Sequence, residues 1–131
     1  MKSYECKNMR ILKCFWKEGE YDATTYNTKG EIISSGTTSV KYNKNNVEAW
    51  DSIFCGNGNW FQNDPSWIYS KGNWFCKNNQ IIFKYKIKYN NGEVVYGKYV
   101  TKKITNGYEA IGYVCENGVY KELNKSILIH K

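Results

Sequence analysis

Residues 82 to 89 read IFKYKIKY and alternate strictly. Phe83, Tyr85, Ile87 and Tyr89 fall on one face, and Lys84, Lys86 and Lys88 on the other. A period of two marks a β-strand with one face in a core and one in water. Asn91-Gly92 follows, a strong signal for a two-residue type I′ hairpin. In that register Tyr89 faces Val94, Ile87 faces Tyr96 and Phe83 faces Val100. A three-residue loop would instead set Lys84 against Lys98. Directly opposed like charges are unfavourable, so the two-residue register is expected.

The same reading extends outward. Asn106-Gly107 turns the chain into a strand over Tyr108 to Cys115, and Asn117-Gly118 closes a further hairpin. Here a three-residue loop, Glu116 to Gly118, is expected. It places Cys115 opposite Val119 and Ile111 opposite Leu123, with Gly118 in a left-handed bulge position. Residues 126 to 129, SILI, add a short last strand. In the N-terminal third, residues 11 to 17, ILKCFWK, read as a strand before Glu18-Gly19 and a second strand over Tyr21 to Tyr26. Lys29-Gly30 and Ser35-Gly36 punctuate a further pair, EIIS and TTSVKY. The helix candidate is VEAWDSIF, residues 47 to 54. Val47, Trp50 and Phe54 have helical spacing, Asn45 with Glu48 resembles a capping box, and Gly56 can end the turn. No linker or charge block divides the chain. The expectation is a single domain over residues 1–131. It is all-β, mainly an antiparallel meander forming a compact sandwich or barrel, with one short helix near residues 46–55.

A chain of 131 residues buries about two-thirds of its unfolded surface and folds without staples. Aromatic residues make up 17% of it, so the core is expected to be built from Tyr, Trp, Phe and Ile. Four of the five tryptophans lie between Trp50 and Trp74, and Gly-Asn-Trp-Phe occurs twice there, starting at Gly58 and Gly72. Two copies are too few for a solenoid. Gly-Asn reads as a turn, and adjacent Trp and Phe on an extended chain point to opposite sides. Trp60 and Trp74 are therefore expected to plug the barrel or sandwich, the alternative being a stacking platform for bases or sugar rings. These Gly-x-Trp triplets resemble those of lipocalin-like barrels, although no family is identified on them.

The chain carries a net charge of +7, and of its 19 basic residues only Arg10 is arginine. Lysine is a hydrated point charge suited to phosphate, whereas arginine makes the bidentate contacts that read guanine. The balance argues against a sequence-specific major-groove reader and leaves attraction to an anionic partner. Abundant Lys, Asn, Ile and Tyr point to an AT-rich coding sequence, as in a low-GC bacterium or its phages. The first ten residues are polar and no apolar run approaches membrane-spanning length, so a cytoplasmic protein of a host bacterium is expected. Five irregularly spaced cysteines fit reduced thiols in that compartment.

The catalytic inventory is poor. His130, the sole histidine, reads as a tail residue, and Asp22, Asp51 and Asp64 are scattered. Cys55 lies in a glycine-rich aromatic context but without a basic neighbour in sequence. No Cys-x-x-Cys or phosphate loop appears, so neither a metal nor a cofactor is expected. What remains is binding. Residues 77 to 103 hold seven lysines and one acid, Glu93. Lys84, Lys86 and Lys88, with Val95 and Tyr99 in the expected register, form a basic face with an interleaved ring, the pattern of a surface for anionic, base-stacking ligands. Trp67 and Tyr69 are the candidate anchors for a protein partner. The expected function is that of a non-enzymatic phage or mobile-element inhibitor, acting on a host defence protein or nucleoprotein through this surface. A single-stranded nucleic-acid or nucleotide binder is the alternative, and a tryptophan-based carbohydrate-binding module a further one.

Overall fold

The structure is a computed structural model that describes residues 2 to 62 and 67 to 131, with the side chains of all of these but residues 2 to 8 and Tyr69. A helix, α1 (Lys2–Phe15), precedes ten strands: β1 (Gly19–Asn27), β2 (Ile32–Tyr42), β3 (Asn46–Ala49), β4 (Ser52–Cys55), β5 (Asn59–Gln62), β6 (Trp67–Lys77), β7 (Gln80–Tyr89), β8 (Val94–Ile104), β9 (Gly107–Glu116) and β10 (Val119–His130). Each strand pairs antiparallel with the next, and β1 pairs with β10 to close a barrel. The all-β expectation with one helix holds, the barrel is the form it takes, and both β halves share one core. No helix among the described residues is long and apolar enough to cross a membrane.

The helix lies elsewhere than expected. Residues 47 to 54 form the β3–β4 hairpin, turning at Trp50-Asp51. Val47 and Phe54, seven apart, do meet, but as cross-strand partners. Their shared burial comes from period-two alternation on either side of the turn: Val47, Ala49, Ser52 and Phe54 all point inward. Residues 11 to 15, expected as a strand, are the end of α1. Met9, Leu12 and Phe15 are buried at helical spacing, with Leu12 fully covered. Burying a side chain of that size stabilises by about 1.5–3 kcal/mol.

The helix closes one end of the barrel, where the β2–β3, β4–β5, β6–β7 and β8–β9 turns gather. A helix leaves its last carbonyls without partners, and here side chains of the barrel rim supply them. Tyr108 Oη donates to the Phe15 carbonyl at 2.7 Å, Tyr42 Oη to Trp16, Lys103 Nζ to Cys14 at 2.9 Å and Tyr21 Oη to Lys17. Lys103 also places a cation at the negative end of the helix dipole.

Turn chemistry corrects two registers. Asn90, Asn91 and Gly92 make a three-residue loop, with the Tyr89 amide donating to the Glu93 carbonyl and Gly92 left-handed at φ 89°. This is a type I turn with a glycine bulge, so Lys84 does face Lys98, and Phe83 faces Tyr99. The β9–β10 turn errs the other way. Asn117 (φ 52°) and Gly118 (φ 77°) form a two-residue type I′ turn with Glu116 opposite Val119. An irregularity between Glu122 and Asn124 then restores the alternation, so 126 to 129 belong to one long strand. Ser35-Gly36 is not a turn and lies inside β2. His130 is not a free tail residue: it pairs with Tyr21, and its ring packs edge-on against that tyrosine at 5.0 Å.

The Gly-Asn-Trp-Phe copies behave as adjacent rings on an extended chain must. Trp60 and Trp74 are buried while Phe61 and Phe75 are about two-fifths exposed, at 40% and 41%. Only the first Gly-Asn is a turn; Gly72 sits within β6, where a Cβ would collide with the Lys84 carbonyl at 1.8 Å. Inside, Trp60 stacks on Phe83 at 5.0 Å and Phe83 on Tyr99 at 5.1 Å, giving the aromatic core that the composition implied.

Candidate binding face

Strands β6, β7 and β8 carry eight lysines and no acid. Their registers align the outward residues into rows that run across the sheet. One row is Phe61, Lys71, Lys86, Tyr96 over β5 to β8. The next is Asn73, Lys84, Lys98, Tyr113 over β6 to β9. A third, Phe75, Ile82, Val100, Ile111, is apolar. Neighbouring strands are about 4.8 Å apart and alternate residues about 7 Å apart along a strand, so lysines and rings form a close lattice.

Within the lattice, rings hold two of the cations, Lys86 and Lys98. Lys98 Nζ lies 4.3 Å from the Tyr120 ring centre and 5.3 Å from that of Tyr113. That reach toward β9 and β10 draws the Lys98 ammonium away from Lys84 and explains how the two lysines tolerate a directly opposed register. Lys86 Nζ stands 5.6 Å over Tyr96, whose side chain is 52% exposed. The acids lie at the margin: Glu109 pairs with Lys102 at 3.3 Å and Glu116 with Lys121 at 3.1 Å.

Of the residues expected on this face, Lys84, Lys86 and Lys88 are brought together on β7. Tyr99 and Val95 are not. They face Phe83 and Ile87, which are buried, and so point into the barrel. The shift of one residue in the β7–β8 register moved every β8 side chain to the opposite face. Burial raises the Tyr99 phenol above its ordinary range, partly offset by the Asn124 amide beside it. Trp67 is half-buried, edge-on to Tyr89 at 6.3 Å. The backbone of Tyr69 pairs with Lys88, while its side chain lies outside those described, as does all of Asp64. The residues missed were Lys98, Tyr96, Tyr113, Phe61 and Lys71. The signal for the first two was the glycine-bulge loop, whose register exposes them. Cys14, Cys55, Cys76 and Cys115 are free thiols, and burial pushes the Cys55 thiol up, away from reactive thiolate character.

No protein-family model matches the chain, and no curated protein matches it.

Proposed function

We propose that the protein is a non-enzymatic binding barrel that engages single-stranded nucleic acid, free or within a nucleoprotein, through the outer face of β5 to β9. The observation that carries this reading is the pair of cross-strand rows in which Lys71 beside Lys86, and Lys84 beside Lys98, are flanked by Phe61, Tyr96 and Tyr113. Ammonium groups neutralise phosphates, and ring faces accept bases without regard to sequence. With one arginine in the chain, the face is suited to charge and stacking and poorly suited to reading base edges. An inhibitor of a host nucleoprotein would use the same contact competitively, covering the path of a guide or target strand. Titration of a fluorescently labelled oligothymidylate at low salt tests the reading. Saturable binding that duplex competitor displaces poorly supports it, and no binding at low salt rejects it.

A further inference from the structure

Strand β2 is long and its neighbour β3 is short. β2 spans Ile32–Tyr42, but β3 pairs only with Val40, Lys41 and Tyr42. On the other side β1 pairs with β2 from Ile32 to Val40. Residues 32 to 38 therefore form a sheet edge, paired to β1 on one side and open on the other.

Two bonds show which groups face the open side. The Ser39 carbonyl accepts from the Trp50 amide, on the β3 side, and the Tyr42 amide donates to Glu18 Oε2, on the β1 side. In an antiparallel strand both backbone polar groups of a residue point the same way, and the direction alternates along the chain. The β1–β2 register is continuous from Ser34 to Val40. Ser35 and Thr37 therefore turn their N–H and C=O groups to the open side, as Ser39 does. Those groups have no partner among the described residues.

Folded proteins usually guard such an edge with lysine, proline or a bulge. Residues 32 to 40, IISSGTTSV, hold no charge and no proline. The irregularity in the pairing lies at the start of β2, opposite Thr25 and Tyr26. There Ile32 and Ile33 are 64% and 57% exposed. A Cβ at Gly36 would meet nothing within 4 Å, so the middle of the edge is unobstructed.

We infer that the β2 edge is the interface of a homodimer, in which β2 pairs antiparallel with β2 of a second copy about a two-fold axis at Gly36. In that register Ser35 faces Thr37 of the second copy, and Thr37 faces its Ser35. Each pair exchanges two hydrogen bonds, so the open groups of both residues are all used. Gly36 meets its counterpart at a non-hydrogen-bonded position, where the backbones come closest. A second copy fits because the edge is self-complementary, as a two-fold contact requires. The pairing opposes no like charges and brings Glu31 of one copy toward Lys41 of the other. β7, with Lys84, Lys86 and Lys88, lies five strands from β2 in either direction around the barrel, so those lysines face away from the contact. The inference is independent of what the lysine face binds. So short an edge makes a weak dimer, with a Kd of about 10–100 µM.

Sedimentation velocity on the full chain from about 5 to 500 µM, in about 0.15 M salt, tests this together with amide exchange by NMR at both ends of the range. The wild type is expected to pass from monomer to dimer. The Ser35 and Thr37 amides should exchange about three- to sixfold more slowly in the concentrated sample, while Gly36, already bonded to β1, is unchanged. Thr37→Pro removes an outward N–H and no bond to β1, so it should fold and stay monomeric. Should it not fold, Gly36→Lys has room in the monomer, sets two ammonium groups against each other at the axis and is expected to be monomeric. The inference is overturned if the wild type is monomeric at about 500 µM, or if it dimerises without slowing Ser35 and Thr37. It is equally overturned if either folded variant dimerises as the wild type does.

Discussion

Asn59 lies directly opposite Asn73 across β5 and β6, and the Asn73 side-chain amide donates to the Asn59 side-chain oxygen at 3.3 Å. The two Gly-Asn-Trp-Phe copies are thus one device, paired with itself. The pairing puts Trp60 against Gly72, while the Trp74 amide donates to the Gly58 carbonyl at 3.0 Å. The tryptophans then do different work. Trp60, 1% exposed, stacks within the barrel, whereas Trp74 fixes its Nε1 on the Cys55 carbonyl at 2.6 Å. Trp60→Ala is expected to cost about 3–5 kcal/mol in urea unfolding, and Trp74→Phe about 1 kcal/mol for the lost hydrogen bond. Wild-type stability in Trp60→Ala would show that the ring is not part of the core.

The helix plug rests on hydroxyls. Tyr108→Phe removes the donor to the Phe15 carbonyl and leaves that buried acceptor without its side-chain partner. A loss of about 1–3 kcal/mol is expected, with faster amide exchange confined first to residues 9 to 16. Uniform exchange throughout the barrel would mean that α1 and the strands open together and that the hydroxyl is no local clamp.

Alkali should undo the protein through five of its tyrosines. Burial is the first cause raising Tyr21, Tyr42, Tyr85, Tyr99 and Tyr108 above the ordinary phenol value of 10.0. The unfolded chain releases these protons first, so above that value it binds fewer protons than the folded chain and stability falls as pH rises. The contribution is complete below about pH 10 and is lost from there toward the folded values. Each phenol that is ionised only in the unfolded state steepens the loss by about 1.4 kcal/mol per pH unit. Urea midpoints should be flat from about pH 7 to 9 and then drop, with a shallower drop in Tyr99→Phe. A flat midpoint to about pH 11 would contradict the burial of these hydroxyls.

The β7 alternation and the Asn-Gly pairs made the meander legible, because period two and turn chemistry are local properties. The loop lengths were not. Asn91-Gly92 and Asn117-Gly118 are the same dipeptide, yet one closes a three-residue loop and the other a two-residue loop. Local charge repulsion pointed to the wrong choice at Lys84 and Lys98, since the compensation comes from Tyr113 and Tyr120 on strands far along the chain. The helix was misplaced for a related reason. Val47 to Phe54 satisfies helical spacing and strand alternation around a tight turn equally well, and only barrel closure decides between them. Met9, Leu12 and Phe15 carried a helical period that was readable beside the strand-like ILKCFWK. Of the candidate face, the β7 lysines were legible from sequence. The ring partners depended on register.

The most direct test of the lysine face is affinity for a single-stranded oligonucleotide against salt, in wild type and in Lys84→Gln/Lys86→Gln/Lys98→Gln. Each phosphate contact contributes a log–log slope of about −0.7. All three lysines point outward, so each substitution should change stability by no more than about 0.5 kcal/mol. The account predicts a steep slope for wild type and a slope shallower by about 2 for the triple variant, with the fold intact. A shallow wild-type slope that the three substitutions leave unchanged would contradict it.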